Sequence, residues 1–370
     1  MMRELYIGLM SGTSLDGVDG VLADFSGGHV QVLAHQGAPF APELRSELLA
    51  LNGAGADELH RAALAANALM RVYAQVVRAL LQRPHVDTED VMAIGAHGQT
   101  VRHRPHEFDG TGYTIQLCNG ALLAELTGID VVCDFRSRDV AAGGQGAPLA
   151  PFFHRAMFAR PGETIGVLNI GGISNLTLLR ADGTQLGFDC GPGNGLMDGW
   201  CARHQGDEFD EGGAWAASGR VDRRLLGNML ADPYFAKEPP KSTGRDLFNM
   251  SWLEGHVGAG YSRDTADVQA TLAELTAAAI ARDVQRHEPQ LKQLIVCGGG
   301  ALNAHLMDRL RALLASTQVI PSTEAGLPPL QVEAAAFAWL ARQCMRREAL
   351  DLKTTTGAKG ARILGAIYPR

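Results

Sequence analysis

The chain is 370 residues long, enough for two lobes that each bury their own core. A hydrophobic content of 46%, a charged content of 20% and a net charge of -7 are ordinary for a globular protein. They exclude a general nucleic-acid binder, which needs a basic excess to drive counterion release. No apolar run approaches the roughly 20 residues of a membrane-spanning helix, so no membrane partner is expected. Residues 1–5 enter a strand at once, and the six scattered cysteines spell neither a zinc pattern nor a disulfide framework, so a reducing cytoplasm is the expected compartment.

Residues 6–25 read as strand, tip and strand, with Ser11-Gly12-Thr13-Ser14-Leu15-Asp16-Gly17-Val18-Asp19 across the tip. Glycines admit close backbone approach, hydroxyls donate hydrogen bonds, and Asp16 and Asp19 suit a hydrated cation. The same residue types make plain turns, so the tip alone leaves both readings open. A strand over 30–34 and a short helix over 42–51 follow. From Asp57 as N-cap to about Gln82, the residues Leu59, Ala62, Ala66, Leu69, Tyr73, Val76 and Leu80 recur every three or four positions and predict a long helix with one core-facing stripe.

Residues 91–96 form a fully apolar strand that delivers His97, Gly98, Gln99 and Thr100 to its carboxyl end, where open α/β sheets collect ligands. His97, His103 and His106 lack the companion ligands of a zinc site, and substrate contact is the better reading. A helix is expected over 116–127 and a strand over 129–134, with Arg136 just beyond. The glycines of 143–146 punctuate the first half most strongly, which puts a lobe boundary near 145.

Residues 164–179 repeat the opening pattern with Gly171-Gly172 at the tip, as an internal duplication would. Two such tips imply a cleft between lobes in which both touch one phosphate chain. A third strand over 184–188 ends at Asp189-Cys190-Gly191-Pro192-Gly193-Asn194, a glycine-rich loop entering a helix. Amides there favour phosphate oxygens, and the carboxylate is poised as a base or a magnesium ligand. A plain helix-capping aspartate is the alternative. Residues 203–263 read as polar and irregular, a cover or lobe surface, with Pro-Pro-Lys-Ser-Thr-Gly-Arg at 239–245 their most distinctive patch.

Asp264 is expected to cap a helix running to about 287. The strand 294–297 empties into Gly298-Gly299-Gly300, which either leaves room for adenine or allows close packing of the following helix. Glu333 opens an alanine-rich helix over 334–342 suited to connecting lobes, and 363–368 close the chain as a strand or packing tail.

No G-x-x-x-x-G-K-[ST] or G-x-G-x-x-G occurs, so neither a P-loop nor a Rossmann site is present. The order of two hairpin tips, an acidic third-strand end and a late triple glycine resembles the actin, hexokinase and Hsp70 superfamily. Gly8 to Asp19, His97-Gly98-Gln99-Thr100, Asn169 to Asn175, Asp189 to Asn194 and Leu364 to Pro369 are similar to the anhydro-N-acetylmuramic acid kinases, and the resemblance spans essentially the whole chain.

That resemblance implies a two-lobe α/β, actin-like (ribonuclease H-like) ATPase fold with duplicated mixed sheets and an ATP cleft. Lobe I would span 1–145 plus about 343–370, and lobe II 146–342. It implies an ATP- and magnesium-dependent sugar kinase whose partners are an amino sugar and ATP. Asp189 would be the base, and Glu333 would hold the sugar or the water. Gly12, Thr13, Ser14, Leu15, Asp16, Gly17, Val18 and Asp19 would hold phosphates and magnesium, with Asp16 and Asp19 reaching the metal through water. Gly171 and Gly172 would face the γ-phosphate and Gly298, Gly299 and Gly300 the adenosine. His97, Thr100 and Arg136 would contact the sugar. The oligomer is left open, a homodimer included. The rivals are a same-fold kinase for another sugar and an ATP-driven switch.

Overall fold

The computed structural model describes every residue except 1–2, 13, 28–29, 84–85, 240, 245–246 and 259–263. Thr13 of the first tip and Pro240 and Arg245 of the 239–245 patch therefore lie outside the described residues. The strands are, in chain order, β1 Leu5–Met10, β2 Gly17–Asp24, β3 Gln31–Pro39, β4 Val91–Ala96, β5 Gln99–Pro105, β6 Gly112–Leu117, β7 Val131–Cys133, β8 Ile165–Ile170, β9 Ile173–Leu179, β10 Gln185–Pro192, β11 Gln293–Cys297, β12 Gln318–Pro321 and β13 Ala366–Tyr368.

The chain divides into two compact units, residues 1–157 with 331–370, and residues 158–330. The sheet of the first unit runs β13-β7-β4-β1-β2-β3, and that of the second β10-β9-β8-β11-β12. In each, a strand pairs antiparallel with the next one in sequence and parallel with a later one across a helical crossover: β1 with β2 and β4, β8 with β9 and β11. Apart from the separate β5-β6 ribbon and the edge strand β13, both sheets follow the order third, second, first, fourth, fifth. The duplication inferred from the two hairpins is thus a duplication of whole sheets, and the actin-like (ribonuclease H-like) α/β class is the fold observed.

In the first unit β1 sends Leu5, Ile7 and Leu9 to one face, where they join Leu69, Met70, Tyr73, Val77 and Leu80 of the helix Glu58–Leu81. The predicted stripe holds from Ala66 onward, but Leu59 is 89% exposed, and Asp57 takes a left-handed conformation without a side-chain cap. Tyr6 points to the other face and joins Phe337, Ala338 and Ala341 of the helix Val332–Met345. There the backbones nearly touch. A Cβ on Gly8 would lie 1.8 Å from the Ala334 carbonyl oxygen, and one on Gly95 2.0 Å from that of Phe337.

This contact corrects the expected boundaries. The helix Val332–Met345 packs on β1, β2 and β4, so it belongs to the first unit together with Glu333. Two elements also differ from expectation. The helix read over 116–127 is Gly120–Thr127, because Gln116 and Leu117 still pair with Thr100 and Gln99 in the ribbon and Asn119 caps the helix. The described residues of 203–263 include the short helices Ala214–Ser218, Arg223–Met229 and Met250–Val257, with Ala216, Leu225, Met229, Tyr234, Phe248 and Leu253 buried in the core of the second unit. Each of these helices is only five to eight residues long and buries one or two side chains, too few to set up a repeating pattern in the sequence.

Candidate active site

Parallel strands bring their carboxyl ends to one edge of a sheet, and in the first unit β1, β4 and β7 deliver Ser11, His97 and Arg136 to that edge. The Ser11 hydroxyl donates to the Gly98 carbonyl at 3.0 Å and stands 3.0 Å from the Tyr73 hydroxyl. Gln99 donates through Nε2 to the Gly12 carbonyl at 3.1 Å, which ties the first tip to the strand behind it.

His97 is 5% exposed, and Arg136 lies 3.1 Å from its Nε2. Because a guanidinium can only donate, Nε2 accepts, and the ring proton sits on Nδ1, which donates to the Ser11 carbonyl at 3.2 Å. Burial, aided by the Arg136 charge, lowers the His97 pKa to about 3, so the imidazole is neutral at physiological pH. Burial likewise lowers Arg136 to about 10, which leaves it charged. Its Nη1 donates to the Gly146 carbonyl at 2.9 Å. Glu333, at the start of its helix, feels Asp19 and Arg136; burial raises its pKa first, Asp19 adds to this, and Arg136 opposes. Thr100 stands one step away on the ribbon, accepting from Gln116 Nε2 at 3.3 Å. His103, also read as a substrate contact, lies on the same ribbon, and burial first and the Arg136 charge second lower its pKa to about 4.

At the first tip Leu15 is buried with φ 59°, and its amide donates to the Gly12 carbonyl. Val18 is buried as well and packs into the core of the first unit. Gly17 lies tight against β3, where a Cβ would fall 2.3 Å from the Ala38 carbonyl oxygen, whereas Gly12 and Ser14 are partly exposed. Asp16 and Asp19 are exposed; Asp19 Oδ1 is 3.2 Å from His35 Nε2. Among the described residues no cluster of three His, Cys, Asp or Glu side chains could hold a metal ion directly.

In the second unit the glycine-rich loop after β10 meets the Gly171–Gly172 tip. The amides of Gly193 and Gly195 donate to the Gly172 carbonyl and that of Asn194 to the Gly171 carbonyl, so the loop before the helix Gly195–His204 holds the tip. The far side of Gly172 is open, with nothing within 4 Å of an added Cβ. The three late glycines divide in the same way. Gly298 (φ +77°) and Gly300 press on Asn169 and Ile170, while Gly299 is exposed.

Asp189 sits within β10, which continues to Pro192, with a register shift between Asp189 and Gly191. Its Oδ2 accepts from the Thr243 amide at 2.9 Å. Burial is the main cause that raises its pKa to about 6, opposed by the Thr243 hydrogen bond and the Lys241 charge. A helix-capping role is excluded, since the side chain bonds to Thr243 and the helix begins at Gly195. Sequence reasoning missed Thr243 as a partner of Asp189; the 239–245 patch was the signal available.

A family model of anhydro-N-acetylmuramic acid kinases matches residues 4–370. Proteins named anhydro-N-acetylmuramic acid kinase from Variovorax paradoxus and Albidiferax ferrireducens are 63% and 61% identical, each over the whole of both chains. One of that name from Cupriavidus metallidurans is 58% identical over 99% of this chain and 98% of its own. Among solved structures, a ROK family glucokinase from Streptomyces griseus aligns with a TM-score of 0.43 at 16% identity, over 92% of this chain and 99% of its own. The chain belongs to the anhydro-N-acetylmuramic acid kinase family.

Proposed function

We propose that this chain phosphorylates 1,6-anhydro-N-acetylmuramic acid with ATP while water opens the anhydro ring, giving N-acetylmuramic acid 6-phosphate and ADP in peptidoglycan recycling. The substrate dictates the chemistry. Its O6 is an ether oxygen with no proton to remove, so a base has to activate water for attack on C1 as O6 takes the γ-phosphoryl group. The observation that carries this reading is Asp189, a carboxylate on the third strand of the second unit whose pKa is raised to about 6. A base of that pKa is charged at neutral pH yet strong enough to accept a proton from water as it attacks.

Asp189 takes the proton of the attacking water. Gly171 and Gly172 face the γ-phosphate through the open side of their tip. Gly12, Ser14 and neighbouring amides of the first tip bind phosphate oxygens, and Gly299 offers the bare surface for adenosine. Arg136 binds the sugar carboxylate, with neutral His97 fixing its plane and Thr100 and Glu333 binding hydroxyls or the water. Magnesium neutralises phosphate charge when bound. Two exposed carboxylates without a third ligand fit an ion that keeps most of its waters, so Asp16 and Asp19 would hold it through water.

Among the described residues no helix is long and apolar enough to cross a membrane. Incubation with ATP, magnesium and the anhydro sugar should yield a phosphorylated reducing sugar and ADP. Turnover of an ordinary hexose in its place, with the anhydro sugar left intact, would favour the same-fold rival.

A further inference from the structure

Lys241 and Thr243 of the 239–245 patch have no part in the scheme above, yet they meet Asp189 directly. Three polar groups of Asp189 are held by Tyr234, Lys241 and Thr243. The Asp189 amide donates to the Lys241 carbonyl at 3.1 Å, the Tyr234 hydroxyl donates to the Asp189 carbonyl at 2.8 Å, and the Thr243 amide donates to Oδ2 at 2.9 Å. This is possible because β10 is the edge strand of its sheet and offers a free side to the segment.

The segment is anchored from below. Lys241 Nζ lies 3.1 and 3.0 Å from the two carboxylate oxygens of Asp283, on the helix Thr265–His287, and the two side chains are only 2% and 5% exposed. The ammonium also lies 5.4 Å from the Phe188 ring centroid and 5.3 Å from that of Tyr234. A buried ion pair gives up hydration that an apolar pair of similar volume would not, so stability alone is a weak reason for it. Its geometry supplies another reason, since it fixes the backbone that holds the base.

We propose that Lys241, locked by Asp283, is a positioning residue for catalysis: it fixes residues 241–243 so that the Thr243 amide orients the Asp189 carboxylate toward the attacking water. The proposal rests on the reading of Asp189 as the base. Among the described residues the titratable groups around Asp189 are Lys241, Tyr234 and Cys190, with Asp283 and His287 standing behind them on the helix. Lys241 and the Thr243 amide both favour the charged carboxylate, so loosening the segment moves the base toward its protonated form.

The test is the double variant Lys241→Met with Asp283→Asn, which leaves no unpaired charge in the core. Turnover, KM for ATP and the pH profile of kcat/KM are measured beside wild type, Lys241→Arg and Asp189→Asn, with circular dichroism confirming the folded fraction. The double variant is expected to lose roughly tenfold in kcat with KM for ATP unchanged, and the acid limb of its profile is expected to move to higher pH. Lys241→Arg, which keeps the charge, is expected to recover part of the loss. An acid limb that stays in place, or a kcat loss no larger than the loss of folded protein, overturns the positioning role. Near-normal turnover in Asp189→Asn would instead remove the base itself. The two failures are therefore distinguishable.

Discussion

Asp189 carries opposed demands from folding and from chemistry. Burial raises its pKa from 3.8 to about 6, so the charged form that the proposed base role needs is the form the fold disfavours. The sign follows directly. The protonated side chain is better tolerated in the fold, and this contribution to stability is fully present below the unfolded value of 3.8 and lost as pH rises through about 6. Asp189→Asn, which mimics the protonated side chain, is therefore expected to melt at a higher temperature than wild type at pH 8, and this advantage should vanish near pH 4. The same variant should lose about a hundredfold or more in turnover, as for removal of a general base, with nucleotide binding kept. In wild type, kcat/KM should fall with a single-proton slope below about pH 6. His97 contributes nothing to that limb, because it stays neutral well below it. Arg136→Lys keeps the charge but loses the planar fork shared between His97 and Gly146. It is expected to raise KM for the sugar on the order of tenfold while KM for ATP holds, since a Lys ammonium cannot serve two fixed acceptors as the fork does.

At the scale of elements, glycines that look alike in sequence do different work. Gly8→Ala puts a methyl into the backbone of the helix Val332–Met345 and is expected to cost about 1–3 kcal/mol in urea unfolding, the usual range for overpacking. Gly172→Ala meets open space, so stability should change by less than about 0.5 kcal/mol, as for a surface substitution, while KM for ATP rises if the tip faces phosphate. Strands and helices with a local period were legible: β4 and the helix Glu58–Leu81 announce themselves by an apolar run and a repeating stripe. What depended on distant partners was not legible. Leu59 fits the stripe but lies beyond the surface the sheet covers. The membership of the helix Val332–Met345 is decided by Gly8 and Gly95, hundreds of residues earlier in the chain. The residue that holds the base, Thr243, is separated from it by a segment whose helices carry no sustained pattern.

For the whole molecule, the repeated strand order explains why chemistry collects where it does. Each unit places the carboxyl ends of its parallel strands at one edge, and each carries one hairpin tip there. The first adds the Arg136–His97 pair, the second the buried carboxylate of Asp189. Family membership names a substrate whose reacting oxygen is an ether, and under the proposed scheme that makes Asp189 a base for water and not for a sugar hydroxyl. The most direct test is the fate of solvent oxygen. With ATP, magnesium and the anhydro sugar in heavy-oxygen water, the sugar 6-phosphate should carry one solvent oxygen at C1, and its phosphoryl group should carry none. An unlabelled C1 in product analysed before it exchanges with solvent, or label in the phosphoryl group, would contradict the ring-opening account.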